Sequence, residues 1–161
     1  MRGPTLFAAG IAVAVVAAVL GIDAAAAHSY LRMSVPADGA VVTTPPREVR
    51  LVFSEPVEVR FSIFRVYPLN APAGANRQQL NRIAALLVNE VLRRRGDETA
   101  RADDGLATTD RVSAQIVIRL KENLTPGHFV VMWRVLSIDT HTTQGFFVFT
   151  YRPAGRSGGG G

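Results

Sequence analysis

Phe129-Val130-Val131-Met132-Trp133-Arg134-Val135-Leu136, running on into Ser137-Ile138-Asp139-Thr140-His141, is the stretch that decides the fold. Phe129, Val131, Trp133 and Val135 recur with period two, as on the buried face of a β-strand. Thr125-Pro126-Gly127 supplies turn chemistry just before it. Just after it come two metal-competent side chains, Asp139 and His141. In an extended chain, residues two apart share a face, so this carboxylate and this imidazole converge on one point. Two donors do not hold an ion alone, and the missing ones are expected elsewhere in the chain.

The same period spreads outward from this strand. Val49, Leu51 and Phe53 alternate with Glu48, Arg50 and Val52, after Pro45-Pro46. Leu31, Met33 and Val35 form a shorter face before the turn residues Pro36-Ala37-Asp38-Gly39. After Ser54-Glu55-Pro56, a third face runs through Val57, Val59, Phe61 and Ile63, and slips in phase near Phe64 and Val66, as at a bulge. Val112, Ala114, Ile116, Ile118 and Leu120 make another, and Gly145 to Tyr151 the last. Six or seven short strands between turns predict an all-β, immunoglobulin-like Greek-key β-sandwich of about seven strands. Met33 and Met132 are expected in its core, and His128, at a strand start, on its surface.

One segment departs from the pattern. From Asn76 to Arg95, Leu80, Ile83, Ala84, Leu87 and Val91 fall at helical spacing. Arg93-Arg94-Arg95 followed by Gly96 suits a helix end. The spacing predicts an amphipathic helix over 76–95, a lid on one sandwich edge or a docking surface, with loops at 72–75 and 97–109.

Length and composition bound the rest. The 161 residues suit one domain, and there is no cysteine, so no disulfide or thiolate site exists. Arg2, the small and apolar run Leu6 to Leu20, and Ala24-Ala25-Ala26-Ala27 have the layout of a secretory signal peptide. That run is short for a membrane anchor, which needs ~20 residues. The chain therefore divides into a leader at 1–27, a sandwich at 28–152 and a Gly-rich tail at 153–161, with a periplasmic or secreted location. The net charge of +5 comes from scattered arginines, read as a solvated surface rather than a nucleic-acid site.

Cleavage after Ala27 would leave His28 at the N-terminus. A terminal histidine offers its α-amine and Nδ1 to one ion, closing a chelate ring. His141 adds a second imidazole, Asp139 an oxygen, and Glu55 is either a further carboxylate donor or a turn acceptor. Nitrogen-rich tetragonal coordination suits Cu(II) or Ni(II), and Cu(II) heads the divalent affinity order.

The chain resembles the CopC family of periplasmic copper-binding proteins. The resemblance rests on the histidine at the cleavage point, on Pro36-Ala37-Asp38-Gly39, and on Leu51-Val52-Phe53-Ser54-Glu55. It also rests on Trp133-Arg134 leading to Ser137-Ile138-Asp139-Thr140-His141, and on Gly145 to Phe149. It implies a monomeric Greek-key sandwich that carries or buffers Cu(II), without catalysis, and an inner-membrane copper transporter of the CopD type as partner. Two features depart from it. No methionine or histidine lies between Pro68 and Asp110, where some members hold Cu(I), so no such site is expected. Thr142 stands where a proline often follows the histidine. Two other classes compete: a copper-dependent oxidative enzyme with a histidine brace, and a structural immunoglobulin-like module. The second leaves His28 and Asp139-x-His141 unexplained.

Overall fold

The alternation at Phe129–Val135 builds a strand whose two faces are both buried, Phe129, Val131, Trp133 and Val135 on one and Val130 and Met132 on the other. A strand covered on both faces reads as a near-continuous apolar run, which this one is. The computed structural model describes residues 29–154; the expected leader at 1–27, His28 and residues 155–161 of the expected tail lie outside the described residues. In chain order the elements are β1 (Leu31–Val35), β2 (Val41–Val42), β3 (Glu48–Glu58), a 3-10 turn (Val59–Phe61), β4 (Ile63–Leu69), α1 (Arg77–Val91), β5 (Asp103–Leu106), β6 (Val112–Leu120), β7 (Gly127–Leu136) and β8 (Thr142–Tyr151). Two four-stranded sheets, β1-β3-β6-β5 and β2-β8-β7-β4, face each other. The fold is thus the expected β-sandwich with one inserted helix.

Leu51, Phe53, Ile116 and Ile118 of the first sheet meet Phe64, Val66, Trp133, Phe147 and Phe149 of the second. Trp133 sits edge-on to Phe53 with ring centroids 6.1 Å apart. It also lies across Gly145, its register partner on β8. A Cβ at Gly145 would come within 2.5 Å of the indole Cζ2, so no other residue fits without moving the ring.

Several expectations change. Ser54-Glu55-Pro56 does not end a strand, because β3 runs through it. Between Val52, opposite Gln115, and Val57, opposite Ser113, the ladder slips out of step and the chain bulges. The third apolar face stops at Val59. The 3-10 turn there, not a bulge, resets the phase, so Phe64 and Val66 point inward while Phe61 is 66% exposed. Met132 is buried but Met33 is 57% exposed. A register shift after Leu31 sets Met33 opposite Val52, on the outer face. The stretch 97–109, read as loop, contains β5, whose sequence Asp103-Asp104-Gly105-Leu106 has no strand period. It is held by pairing with β6 and by Asp103, whose carboxylate accepts the Val66 N–H at 2.8 Å.

The helix starts where expected, with Asn76 and Gln79 forming a reciprocal capping box. It ends at Val91, so Arg93 to Arg95 lie beyond it. It covers the outer face of the second sheet rather than an edge. Leu80, Ala84, Val88 and Val91 pack on Tyr67, Leu69, Val130, Met132 and Val148. Each buried Leu or Val contributes on the order of 1.5–3 kcal/mol. Two polar attachments fix it. At its start, Arg77 binds Asp38 at 2.6 Å and lies over Gly39, where a Cβ would sit 2.5 Å from its guanidinium. Pro36-Ala37-Asp38-Gly39 is therefore the socket for the inserted helix. Past its end, Arg65 of β4 donates to Val91 O and to Asp97 Oδ2, both at 2.7 Å, and to Arg94 O, while Tyr67 also donates to Asp97. Burial pushes the Asp97 carboxyl up, but the Tyr67 hydroxyl and Arg65 outweigh it and hold it below the usual range. Burial, then Asp97, pushes the Tyr67 phenol up to about 12.

Candidate metal centre

β7 and β8 pair down to Leu136 and Thr142, and the five residues between them close a tight turn at one end of the sandwich. Ser137 N–H donates to His141 O at 2.9 Å, and Thr140 N–H to Ser137 O at 3.0 Å. Thr140 takes a φ of 71°, a left-handed conformation that a β-branched residue adopts only when its surroundings impose it. The Ser137 side chain is buried and supplies part of that constraint. Its hydroxyl lies within hydrogen-bond reach of Asp139 Oδ1 and of His141 O.

Asp139 and His141 do converge, but in a tight turn with Thr140 left-handed rather than along an extended chain, and bonded to each other. Asp139 Oδ1 accepts the His141 N–H at 3.2 Å, and Asp139 Oδ2 lies 3.1 Å from His141 Nδ1. The Ser137 hydroxyl is the main reason that the Asp139 carboxyl sits below its usual range. Burial opposes this, and the His141 backbone and ring reinforce it. Asp139 therefore stays ionised, ready to hold a cation or an imidazole N–H. When Nδ1 carries the proton that it shares with Asp139, the lone pair of His141 is on Nε2. The His141 side chain is 55% exposed.

Glu55 enters differently. It lies in the β3 bulge, half-buried, and its backbone carbonyl accepts the Ser29 hydroxyl at 3.1 Å. From the other side, Thr143 of β8 donates its hydroxyl to Ser29 O at 2.7 Å. Tyr30 N–H reaches Ser54 Oγ at 3.1 Å, and Tyr30 O accepts Ser54 N–H at 2.8 Å. Ser29 is wholly buried by these contacts. The bulge that interrupts β3 thus receives the incoming chain, beside the turn that carries Asp139 and His141. Among the described residues, no three of His, Cys, Asp and Glu are gathered closely enough to hold a metal ion. His28 lies outside the described residues.

Sequence reasoning missed Ser29, Ser62 and Ser137. Ser137, two residues before Asp139, is a side-chain turn signal that could have been noticed. Ser62 Oγ accepts the Leu136 N–H at 3.1 Å and ties the 3-10 turn to the end of β7, and nothing local in the sequence announces that. His128 is not a plain surface residue either. Its Nδ1 lies 2.8 Å from Thr150 Oγ1, and partial burial and then Arg152 lower its pKa.

The model of the CopC domain matches residues 31–152. The chain belongs to the CopC family. Among curated proteins it is similar to the YobA proteins of Escherichia coli K12 and Shigella flexneri, at 27% identity over 126 residues, covering 78% of this chain and 80% of theirs. Among solved structures it is similar to PcoC, described as a methionine-rich copper resistance protein of Escherichia coli. The TM-score is 0.54 at 25% identity, covering 78% of this chain and all of PcoC. CopC from Methylosinus trichosporium OB3b shares the fold, with a TM-score of 0.51 at 22% identity, covering 78% and 95%. Unlike a methionine-rich protein, this CopC-family chain has three methionines in all, of which the described Met132 is buried and Met33 exposed.

Proposed function

We propose that this is an exported Cu(II)-binding protein for copper carriage, buffering or resistance. Its site is made when the leader is removed after Ala27. His28 gives its amine and Nδ1, His141 its Nε2, and Asp139 an oxygen. Glu55 is the further, weaker carboxylate candidate. The observation that carries this reading is the fixing of Ser29 between the Glu55 carbonyl and the Thr143 hydroxyl, next to the Asp139–His141 turn. Ser29 is the residue that directly follows His28 in the sequence. Family membership and the description of PcoC favour copper as the ion. They also favour a carrier over the oxidative enzyme and over a purely structural module.

Metal displaces protons from amine and imidazole donors, so affinity falls as pH drops. On this reading the protein works as a periplasmic or secreted monomer, and a CopD-type membrane transporter is the natural exchange partner. The test is a Cu(II) titration of the chain beginning at His28, followed by electron paramagnetic resonance. One equivalent bound in a tetragonal, nitrogen-rich environment is expected. Absence of tight binding, or a spectrum without nitrogen coupling, overturns the reading.

A further inference from the structure

We infer that the cleft between the start of α1 and the Gly127–Tyr151 end of the β7–β8 pair is a binding site for a small carboxylate with an apolar carbon body. The cleft is independent of the metal centre. β7 begins beside it at Gly127 and reaches the Asp139–His141 turn only at its other end, about 30 Å along an extended chain.

The cleft has a volume of about 210 Å³. It is walled by the Asp38-Gly39 turn, by the first turns of α1, by His128, and by the end of β8 with Arg152 just beyond it. Backbone bonds hold these walls in place. Gly39 N–H donates to Val148 O at 2.7 Å and Thr150 N–H to Ala40 O at 2.8 Å, which ties the turn to β8. Arg77 reaches across from α1 to Asp38 at 2.6 Å. Pockets for drug-sized ligands run to roughly 300–1,000 Å³, so this one is cut for a shorter molecule.

Charge sets the sign of the occupant. The charged and titratable groups facing the cleft are Asp38 and Arg77 on one side and His128 and Arg152 on the other. Asp38 is taken by Arg77, whereas the group that Arg152 meets is His128, a second base. Burial and then Arg152 hold the His128 ring below its ordinary protonation range, and an anion placed between the two relieves that repulsion. His128 Nδ1 is engaged by Thr150 Oγ1 at 2.8 Å, which leaves Nε2 for a ligand. A planar guanidinium fork beside an imidazole matches the two oxygens of a carboxylate. Asn76 and Gln79 already close the first turn of α1 with their capping box, so recognition falls to these side chains. Val41, Leu80 and Val148 complete the lining with apolar surface, which a carbon body covers and an inorganic anion leaves wet.

Nuclear magnetic resonance of the copper-free full chain tests this. Titration with butyrate at constant ionic strength should move the His128 ring signals saturably. Butyrate should bind at least about threefold more tightly than acetate or inorganic phosphate, because its additional CH₂ groups are buried. Arg152→Gln should weaken butyrate binding by about tenfold. That side chain is exposed and its backbone bond to Val42 O is untouched, so the melting temperature should stay as it is. Affinity should rise from about pH 8 to about pH 6, as His128 takes up a proton and adds a cation to the cleft. His128→Asn, which keeps a polar atom for Thr150, should abolish that rise. The absence of a saturable shift overturns the inference, as does a shift that Arg152→Gln leaves unchanged. Acetate or phosphate bound as tightly as butyrate overturns the assignment of a carboxylate with an apolar body.

Discussion

Replacing Asp97 with alanine should be among the most destabilising single changes in this fold. Asp97 and Arg65 form an ion pair at 2.7 Å with side chains only 5% and 10% exposed, so solvent cannot take over from a lost partner. The alanine variant leaves the guanidinium facing two carbonyls, Val91 O and Arg94 O, with its charge uncompensated, and takes the acceptor from Tyr67. Breaking a buried pair from one side costs about 3–5 kcal/mol, against a total stability of about 5–15 kcal/mol for a domain. A melting temperature lower by about 10–20 °C is expected. Arg65→Met with Asp97→Leu should recover much of that, because paired apolar replacements leave no charge stranded. The sign with pH is fixed. The Asp97 carboxyl is depressed in the folded state, so its contribution is present above the unfolded value of about 3.9 and lost as pH falls through the folded one. The gap between wild type and Asp97→Ala should therefore be constant from pH 5 to 8 and shrink below about pH 4. Calorimetry over that range is the assay. A loss under about 1 kcal/mol at pH 7 would refute the view that this pair fastens the segment after α1 to β4.

Other perturbations give direct readings. His141→Ala should weaken Cu(II) binding by orders of magnitude, Asp139→Ala by less and Glu55→Ala by least, which competition with a chromogenic chelator will rank; equal affinities would remove the proposed site. Gly145→Ala drives a methyl into Trp133 and should cost about 1–3 kcal/mol in chemical denaturation, with a shift in tryptophan emission. Cu(I) should not be retained tightly by the copper-free protein, since the 68–110 segment has no methionine or histidine; stoichiometric Cu(I) retention would contradict that.

Much of the sandwich was legible because burial of one face leaves a period-two record, as in Val49-Leu51-Phe53 and Ile116-Ile118-Leu120. The record fails where backbone geometry, not side-chain burial, sets the path. The 3-10 turn at Val59–Phe61 and the shift after Leu31 each rotate the pattern, which put Phe61 and Met33 outside. β5 has no apolar period because its neighbour and the Asp103 carboxylate, 37 residues from the Val66 N–H it accepts, hold it in place. The Asp139–His141 pair was legible from its spacing, but the turn that joins the two, with Thr140 left-handed, was not, since an extended chain was expected there. The long-range bonds of the neighbouring hydroxyls were not, because Ser29, Ser62 and Thr143 act on residues 26 to 114 positions away.

On the proposed reading, processing after Ala27 creates the site, and one comparison decides it. Two chains, one beginning at His28 and one at Ala27, are titrated side by side with Cu(II) under electron paramagnetic resonance. In the second chain the His28 amine becomes an amide nitrogen, a poor ligand until deprotonated, so the chelate ring is lost. Tight, nitrogen-rich binding by the first chain is expected, and markedly weaker binding with a different spectrum by the second. Indistinguishable affinities and spectra would contradict it and leave only the Asp139–His141 pair.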